Sequence, residues 1–365
     1  RRIMRLLFLN TNIGYGGASK IMVWVANICA NEGYDVYFLT YRDSEYKQIL
    51  DQRIKANHIQ LEDKSGKGKG LWNTVRCIRS YIITKKIDVA VGFLSPSQLR
   101  LSLACIGLSC KLLFSQRGDP FQVPYGLKNK IIQYVNHRLF CKADAFVFQT
   151  PMAANYYPKS VRNKSVIICN PIHPLVRSVQ REGNITKDIV CVARLDIVQK
   201  RQDILIKAFN LISSKYPEYR LKLYGDGFSL SDENTLRKLA NGNSKIDFMG
   251  QTRDVAGAIQ NAAVAVLSSD FEGIPNALLE YMSIGVPCIS TNCSPGGAAM
   301  LIKNKVNGLL VRKGNVIELA DAIEYMITHP EEAEQMGRNS MKVNELYSET
   351  VIAQKWLELF KSLNK

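Results

Sequence analysis

The sequence predicts an α/β protein built from two facing, Rossmann-like domains with a cleft between them. The chain has 365 residues, more than one compact core of ordinary size usually holds. Short apolar runs typical of strands alternate with helix-periodic stretches in both halves, as parallel sheets require. A polar segment with two prolines interrupts this alternation after residue 170. These observations together predict two doubly wound domains.

The first half opens as a strand–helix–strand unit. An apolar run at residues 4–10 predicts a strand, and a Gly-rich loop follows at residues 11–17. Helical periodicity extends over residues 19–30, and a second strand is expected at residues 35–40. Further strands are predicted at residues 88–93, 111–115, 145–150 and 166–169. The N-terminal domain is therefore assigned to residues 1–170.

The second half repeats the alternation after a predicted linker at residues 171–187. The C-terminal domain is assigned to residues 188–347, and residues 348–365 are expected to form a helix that packs back toward the N-terminal domain. Strands are predicted at residues 189–193, 220–224, 264–267 and 287–290. Helices are predicted at residues 202–213, 231–240, 275–283 and 316–328.

Charge is divided unevenly along the chain. Residues 1–170 hold 25 Lys and Arg against 10 Asp and Glu, whereas residues 171–365 hold 23 against 22. Like charge gathered on one domain favours an anionic partner for that domain. Two basic stretches that also contain apolar residues, 64–86 and 128–142, are candidate surfaces for a membrane or an acceptor. Nine cysteines without metal-ligand spacing predict reduced core thiols, and no apolar run is long enough to span a membrane, so a cytoplasmic protein is expected.

Two basic residues follow the first strand of the C-terminal domain. Arg194 comes directly after that strand, and Lys200 precedes the next helix. Ligands of open α/β sheets bind beyond the carboxyl ends of strands, so this pair is placed to hold a diphosphate. The alternative is that both are solvated surface cations.

A carboxylate pair marks the most informative stretch of the sequence. Glu272 follows a strand and precedes a Gly-Pro loop, and Glu280 lies within the helix that begins after the loop. The first carboxylate suits sugar hydroxyls and the second a ribose diol, while the backbone N–H groups of residues 273–277 suit an anion. The alternative is that Glu272 caps the helix and Glu280 is solvated.

The residues around this pair form a recognisable pattern. Glu272-Gly-Ile-Pro-Asn-Ala-Leu-Leu-Glu280, followed by Gly-Val-Pro-Cys-Ile-Ser at residues 285–290, resembles the glutamate pair of family-4 retaining glycosyltransferases of GT-B fold. The resemblance covers essentially the whole chain and is strongest over residues 188–330. Other parts of the pattern occur in order: Gly16-Gly17-Ala18, Val192-Ala-Arg194-Leu with Lys200, Gly225-Asp226-Gly227, and Asn307-Gly308-Leu-Leu-Val311.

The resemblance implies a role for each of these positions. The N-terminal domain would bind the acceptor and the C-terminal domain the nucleotide-sugar donor. Arg194 and Lys200 would contact the donor diphosphate, Glu272 the transferred sugar and Glu280 the ribose. Further donor contacts are implied at Gly16, Gly17, Gly225, Gly273, Ile274, Pro275, Asn276 and Ala277. Gly16 and Gly17 would let backbone amides approach the phosphates, although their loop taken alone is equally consistent with a turn that binds nothing.

Two further catalytic candidates lie in the N-terminal half. Family members often place a histidine or a charged residue near the reacting sugar, and the loop that contains Arg117 and Asp119 is the counterpart here. The alternative is a turn with a surface ion pair. Because the sequence has no Asp-x-Asp triplet, we expect neither a metal nor a cofactor, with Arg194, Lys200 and the helix N-terminus stabilising the leaving diphosphate.

The resemblance therefore predicts a retaining hexosyl or N-acetylhexosaminyl transferase. Its donor is a nucleotide-diphosphate sugar, with UDP preferred over GDP, and its acceptor is a growing saccharide or a polyprenyl-diphosphate-linked one. The basic N-terminal domain would bind the anionic inner face of the cell membrane peripherally. Alternative classes are a GT-B-fold nucleotide-sugar epimerase or phosphorylase and a basic nucleic-acid-binding protein, although no nucleic-acid motif is present. A nicotinamide dehydrogenase would need an acidic residue after the second strand, where Thr40-Tyr41-Arg42 stands.

Overall fold

The chain folds into two compact units. The computed structural model describes residues 2–11, 13, 17–41, 50–59, 70–93, 95–122, 126–181, 183–227, 229–240 and 242–364. Unit 1 comprises residues 1–168 and 353–365, and unit 2 comprises residues 169–352. Each unit is a Rossmann-like α/β domain with a parallel sheet, so the predicted α/β class with two such domains is confirmed.

Unit 1 contains a parallel sheet with the strand order β3-β2-β1-β4-β5-β6-β7. The central strands are apolar on both faces because helices cover both, which is why they read as continuous hydrophobic runs. The strands are β1 (Arg5–Asn10), β2 (Asp35–Thr40), β3 (Lys55–His58), β4 (Val89–Gly92), β5 (Lys111–Gln116), β6 (Ala145–Phe148) and β7 (Ser165–Ile167).

The helices between these strands, among the residues that the structure describes, are α1 (Gly17–Asn31), α2 (Leu71–Lys85), α3 (Ser95–Ala104), α4 (Leu127–Phe140), α5 (Pro151–Asn155) and α6 (Lys159–Arg162). The end of the chain also belongs to this unit. Trp356 and Phe360, on the last helix α16 (Glu349–Leu363), are fully buried, and the Phe360 ring lies 6.2 Å from that of Phe8 on β1. Residues 353–365 are therefore part of the core of unit 1.

Unit 2 contains a second parallel sheet with the order β10-β9-β8-β11-β12-β13. Its core is formed by aliphatic side chains of these strands and of the helices packed on them. The strands are β8 (Asp188–Val192), β9 (Arg220–Tyr224), β10 (Ile246–Gly250), β11 (Val264–Leu267), β12 (Cys288–Asn292) and β13 (Leu309–Arg312).

The helices of unit 2 include the two that flank the predicted donor residues. These are α8 (Gln202–Ile212) and α11 (Asn276–Ile284). The others are α7 (Pro174–Arg177), α9 (Leu230–Leu239), α10 (Val255–Ile259), α12 (Gly297–Leu301), α13 (Val316–Thr328), α14 (Pro330–Ser340) and α15 (Val343–Leu346). No helix within the described residues is long and apolar enough to cross a membrane.

The segment predicted as a linker is anchored to unit 2 by Arg181. The Arg181 guanidinium donates to the carbonyl oxygens of Gln260 and Ala262 and pairs with Glu334 at 2.6 Å. Only 7% of the Arg181 side chain is exposed. The described residues of this segment, 171–181 and 183–187, belong to unit 2.

The strand order defines where each unit can bind a ligand. In unit 2 the direction of winding reverses between β8 and β11, which are neighbours in the sheet although β9 and β10 come between them in sequence. Loops that leave the carboxyl ends of two such strands diverge to opposite faces and leave a crevice. Arg194 follows β8 and Glu272 follows β11, so both predicted residues lie at this switch point.

Candidate functional site

Asp196 holds the loop that carries Arg194. Its carboxylate accepts the backbone N–H groups of Val198 and Gln199 at 2.9 and 2.8 Å and the Arg194 guanidinium at 2.9 Å. Burial opposes ionisation of this group, but the hydrogen bonds outweigh it and lower the pKa of Asp196. The Arg194 guanidinium also donates to Gln199 Oε1 at 2.7 Å, and nearly half of its side chain stays exposed. Arg194 is thus oriented by its own loop while its outer edge faces solvent.

Gly225 brings the loop after β9 against the loop after β8. Its φ is +139°, and a Cβ at this position would lie 2.1 Å from the carbonyl oxygen of Ala193. The close approach lets the Ala193 N–H donate to the Tyr224 carbonyl at 3.0 Å and the Leu195 N–H to the Asp226 carbonyl at 2.8 Å. The glycine predicted as a donor contact therefore also supports the backbone on both sides of Arg194.

Lys200 and Glu272 form an ion pair at the switch point. The Lys200 amino group contacts Glu272 Oε1, and their side chains are 19% and 10% exposed. Ser269 Oγ donates to the same carboxylate oxygen at 2.8 Å, which fixes the orientation of Glu272. An ammonium group has three donors, so Lys200 is able to hold Glu272 and donate to a ligand oxygen at the same time. The two residues that were predicted to bind different parts of the donor are thus in direct contact.

Arg201 ties the two loops of the switch point together. Its guanidinium donates to Asp270 at 2.6 Å and to Asp203 at 2.9 Å, and these two carboxylates raise its pKa, the Asp203 hydrogen bond most strongly. The backbone adds a further link, because the Asp270 N–H donates to the Gln199 carbonyl at 2.8 Å. Loop 193–201 and loop 268–272 are therefore joined by both side-chain and main-chain bonds.

Gly297 allows the Gly273 loop to adopt its position. A Cβ at Gly297 would lie 1.7 Å from the Gly273 carbonyl oxygen, so the first turn of α12 packs directly on that loop. The Glu272 N–H donates to the Ser294 carbonyl at 2.8 Å and secures the other end. Loop residues Gly273, Ile274 and Pro275 then lead into α11.

Helix α11 presents its N-terminus at the same edge of the sheet. Asn276 and Ala277 form its first turn, where backbone N–H groups have no intrahelical acceptor and favour an anion. The Asn276 side chain accepts from Asn170 Nδ2 at 2.6 Å. Buried Tyr281 fixes the helix against β8, since its hydroxyl accepts the Val192 N–H at 2.8 Å. Burial raises the pKa of Tyr281 well above its ordinary value, so this hydroxyl stays protonated.

Glu280 precedes Tyr281 on α11 and is half-buried. It lies one helical turn after Asn276, so its Cβ is on the same face of α11 as the first residue of the helix. The structure thus brings Arg194, Lys200 and Glu272 to one switch point and places Glu280 on the helix that starts beside them.

Arg117 and Asp119, the catalytic candidates from the N-terminal half, lie in unit 1 and have different contacts. The Arg117 guanidinium lies over the Phe93 ring at 4.7 Å and over the Trp356 ring at 5.5 Å, an arrangement of cation–π type. Asp119 accepts the Phe121 N–H at 3.0 Å and the Gln122 side-chain amide at 3.2 Å, which stabilises a turn. Gly17 is the first residue of α1, and Gly16 lies outside the described residues.

Several supporting residues were not found by sequence reasoning. Asp196, Gln199, Arg201, Asp270 and Gly297 each hold a predicted residue or its loop in place. A signal existed for two of them, because Arg201 directly follows Lys200 and Asp270 stands within the stretch that contains Glu272. Their contacts join positions 69 residues apart, which a linear pattern does not reveal.

The site combines cations, carboxylates and a helix N-terminus at the carboxyl edge of a parallel sheet, which is the set of groups that a nucleotide with attached sugar requires. Residues 186–329 match the model of the family described as glycosyl transferases group 1. This match covers most of unit 2 and includes Arg194, Lys200, Glu272 and Glu280. Over these residues the chain is similar to glycosyl transferases of group 1.

Two relatives align with nearly the whole chain. An uncharacterized glycosyltransferase of Haemophilus influenzae is 26% identical over 96% of this chain and 98% of its own. A Campylobacter jejuni protein named GalNAc-alpha-(1->4)-GalNAc-alpha-(1->3)-diNAcBac-PP-undecaprenol alpha-1,4-N-acetyl-D-galactosaminyltransferase is 24% identical over 98% of both chains. Among solved structures, Anabaena HepE in complex with UDP and glucose aligns with a TM-score of 0.79 at 17% identity, covering 98% of this chain and all of that one. The last comparison supports the fold of two Rossmann-like α/β domains, each with a parallel sheet.

Proposed function

We propose that the protein transfers a hexosyl or N-acetylhexosaminyl group from a UDP-sugar to a lipid-linked or growing saccharide, with retention of anomeric configuration. The observation that carries this proposal is the switch point of unit 2, where Arg194 and the Lys200–Glu272 pair lie at the ends of β8 and β11. In this assignment Arg194, Lys200 and the N-terminus of α11 bind the diphosphate. Glu272 binds the transferred sugar and Glu280 the ribose.

The relatives support the choice of substrates. The Anabaena structure contains UDP and glucose, and the Campylobacter enzyme is named for an undecaprenyl-diphosphate-linked acceptor and a transferred N-acetylgalactosamine. Polysaccharide biosynthesis is the process that such activities serve. We infer a donor and an acceptor of the same chemical classes here.

The proposed reaction needs little proton transfer by the enzyme. The bond between the anomeric carbon and the diphosphate oxygen breaks, the acceptor hydroxyl attacks on the same face, and its proton passes to the leaving phosphate oxygen. Arg194 and Lys200 stabilise the negative charge that develops on that oxygen. We propose that no metal is needed, and retention of full activity in the presence of EDTA is the expected result; loss of activity that Mg²⁺ restores would contradict it.

Helix α4 is the proposed contact with the membrane. Its outer face exposes Leu127, Ile131, Tyr134 and Val135 at 76%, 56%, 59% and 46% of their surface. Lys130 and Arg138 lie on the same helix, so the face combines apolar and basic groups as interfacial helices do. Anionic lipid is the matching surface, since each nearby cation contributes about 1 kcal/mol of attraction to it.

The other basic stretch is less suited to that role. Val75 and Ile78 of α2 are buried in the core of unit 1, and Arg79 donates to the carbonyl oxygens of Ala104 and Ile106. The apolar residues of this helix are thus largely used for folding. The basic loop at residues 64–69 lies outside the described residues.

A nucleotide screen tests the donor assignment. Thermal unfolding is measured with UDP, GDP, ADP and NAD and their sugar conjugates, for the wild type, Glu280→Ala and Glu218→Ala. Glu218 is an exposed carboxylate of unit 2 and serves as the matched control. We expect UDP compounds to stabilise the wild type and the control but not Glu280→Ala. Stabilisation by NAD alone, or by no nucleotide, would contradict the proposal.

A further inference from the structure

Asn170 is a buried amide that reaches the first residue of α11. It is 6% exposed, and its Nδ2 donates to Oδ1 of Asn276 at 2.6 Å. The two residues are 106 positions apart in the sequence, yet both belong to unit 2. A buried amide costs free energy unless it is hydrogen-bonded, so this bond constrains both side chains. Asn276 is a predicted donor contact, whereas the sequence pattern gives Asn170 no role.

The segment after Asn170 is fixed on unit 2. Pro171 follows Asn170 and restricts its backbone to extended conformations. Ile172 is buried, and its N–H donates to the Tyr347 carbonyl at 2.9 Å. The short helix α7, a few residues further on, packs against α11. Asn170 is therefore held next to α11 by its own backbone and not only by the bond to Asn276.

Helix α11 begins without a side-chain cap. Its N-cap residue is Pro275, whose side chain has no hydrogen-bond acceptor for the N–H groups of the first turn. Asn276 follows as the first residue of the helix and is exposed. Uncapped N–H groups and the positive end of the helix dipole favour an anion at this position. The side chain of Asn276 strengthens such a site only if it presents a donor to the anion.

The bond to Asn170 fixes the orientation of the Asn276 amide. A carboxamide has an acceptor oxygen at one end and an NH₂ donor at the other. Because Oδ1 accepts from Asn170, the Nδ2 end is directed away from that residue. Within the residues that the structure describes, this Nδ2 group bonds to no protein acceptor. The reverse orientation would turn Oδ1 toward an anion at the helix N-terminus and repel it.

We propose that Asn170 is a positioning residue of the donor site: it holds Oδ1 of Asn276, so that Nδ2 of Asn276 donates to a phosphate oxygen of the nucleotide-sugar donor. The assignment rests on the proposed function. Asn170 acts through Asn276 and does not touch the donor itself. Asn276 then adds a charge-assisted hydrogen bond to those of the backbone N–H groups, and such bonds are stronger than neutral ones. The effect of Asn170 is therefore on the diphosphate and not on the base or the ribose.

Three variants test this orientation. Asn276→Ala removes the donating amide, and Asn170→Ala leaves that amide unheld. Asn170→Asp keeps the shape but offers only acceptors when ionised, so Asn276 has to turn its Nδ2 toward the new carboxylate and its Oδ1 toward the ligand. The controls are Asn210→Ala and Asn243→Asp, because Asn243 Nδ2 donates to Asn210 Oδ1 at 2.7 Å in a second amide pair of unit 2.

Equilibrium titrations measure the affinities for UDP and for uridine, which lacks the phosphates. UDP affinity should fall about tenfold in Asn276→Ala and less in Asn170→Ala, since a hydrogen bond to a charged oxygen is lost in the first and weakened in the second. Asn170→Asp should lose about tenfold or more, because it turns an acceptor toward the diphosphate. The uridine affinity of all variants, and the UDP affinity of the two controls, should stay at the wild-type value.

Asn170→Asp distinguishes orientation of the amide from simple support of α11. If Asn170 only supported the helix, the carboxylate would accept from Asn276 Nδ2, restore the bond and preserve UDP affinity, and that result would overturn the proposal. In an Asn276→Ala background Asn170→Asp should cause little further loss, because no amide remains to be turned. A loss as large as in the wild-type background would show an effect of the added charge instead and would also overturn it.

The remaining outcomes separate this inference from the proposed function. Equal UDP affinity in wild type and Asn170→Ala, or an equal loss of uridine and UDP affinity, would overturn the role of Asn170 even if UDP binds tightly to the wild type and the donor assignment holds. Binding of no nucleotide by the wild type would overturn the proposed function, and this inference with it. Preserved melting temperatures in Asn170→Asp and Asn276→Ala rule out misfolding as the cause of lost binding.

Discussion

The Lys200–Glu272 ion pair is the residue-level feature on which the proposed donor site depends. Both side chains are largely buried, and Ser269 holds the carboxylate in place. A charge that is buried with a partner becomes costly when the partner is removed, so neither residue is a neutral position for substitution. The conservative change of Glu272 to glutamine keeps the shape and removes the charge.

Glu272→Gln is expected to lower the rate of sugar transfer by roughly a hundredfold, because a contact to the reacting sugar is weakened in the transition state. The affinity for UDP without a sugar should change little. Initial rates and calorimetric titration with UDP measure the two effects. A variant with near wild-type rates would remove Glu272 from the proposed mechanism, and equal loss of UDP affinity would reassign it to the nucleotide.

Gly225 illustrates a residue whose role is steric. Gly225→Ala places a methyl group against the Ala193 carbonyl at a φ of +139°, and overlap and backbone strain together should cost about 3 kcal/mol. Gly242→Ala is the control, since Gly242 has a φ of +83° but an added Cβ would have nothing within 4 Å, and the change should cost about 1 kcal/mol. Denaturant or thermal unfolding compares the two. Equal losses would show that the contact with Ala193 is unimportant.

Sequence alone indicated Arg194, Lys200, Glu272 and Glu280 because their types and spacing form a linear pattern. Their supports could not be predicted in the same way. Asp196 is an ordinary carboxylate in the sequence, and its bonds to Arg194 and Gln199 depend on the fold of its own loop. Asp270 pairs with Arg201, 69 residues away, and this contact becomes evident only when the two loops are adjacent. The mutual contact of Lys200 and Glu272 was hidden for the same reason.

At the scale of elements, Arg201 joins the loop after β8 to the loop after β11. It has φ +53°, a left-handed conformation that asparagine also tolerates, so Arg201→Asn removes the guanidinium with little added strain. Loss of hydrogen bonds to two carboxylates should reduce stability by about 2 kcal/mol. UDP affinity should fall roughly tenfold because the loops lose their common anchor.

The matched control for Arg201→Asn is Arg220→Ala. Arg220 also pairs with a carboxylate, Asp247 at 2.7 Å, but its side chain is 44% exposed and lies on strand β9 away from the two loops. An exposed pair of this kind contributes at most about 1 kcal/mol. Unfolding curves and UDP titrations of both variants decide the matter. If the two variants weaken UDP binding equally, Arg201 does not position the site.

The elements that sequence predicted best are the buried ones. β2, β9 and β11 have the predicted bounds. β2 and β11 are almost continuous apolar runs, which mark strands covered on both faces, whereas β9 alternates between buried leucines and more exposed residues. β3 and β10 were not predicted, and both are edge strands of their sheets with alternating or partial exposure. Helix α3 was also missed, because its Ser97, Gln98 and Ser102 are polar although buried. Polar side chains that are buried leave no hydrophobic pattern in the sequence.

At the scale of the whole molecule, the sequence shows the excess of basic residues in the first half. It does not show which helix exposes basic and apolar residues together on one surface. Both α2 and α4 combine cations with apolar residues. Packing distinguishes them, since α2 buries Val75 and Ile78 whereas most of α4 stays exposed. The proposed membrane contact is therefore assigned to α4, and it can be tested with the intact protein.

The wild type is expected to bind vesicles of phosphatidylglycerol and phosphatidylcholine, and to bind more weakly as salt is added or as the anionic lipid is reduced. Ile131→Glu with Val135→Glu should abolish most of this binding, because it places two carboxylates where apolar side chains would enter the interface. Cosedimentation with vesicles measures it. Trp72→Glu with Ile83→Glu adds the same charge to exposed positions of α2 and should retain more binding. If the α2 variant loses as much as the α4 variant, the attraction is a property of net charge and α4 has no special role.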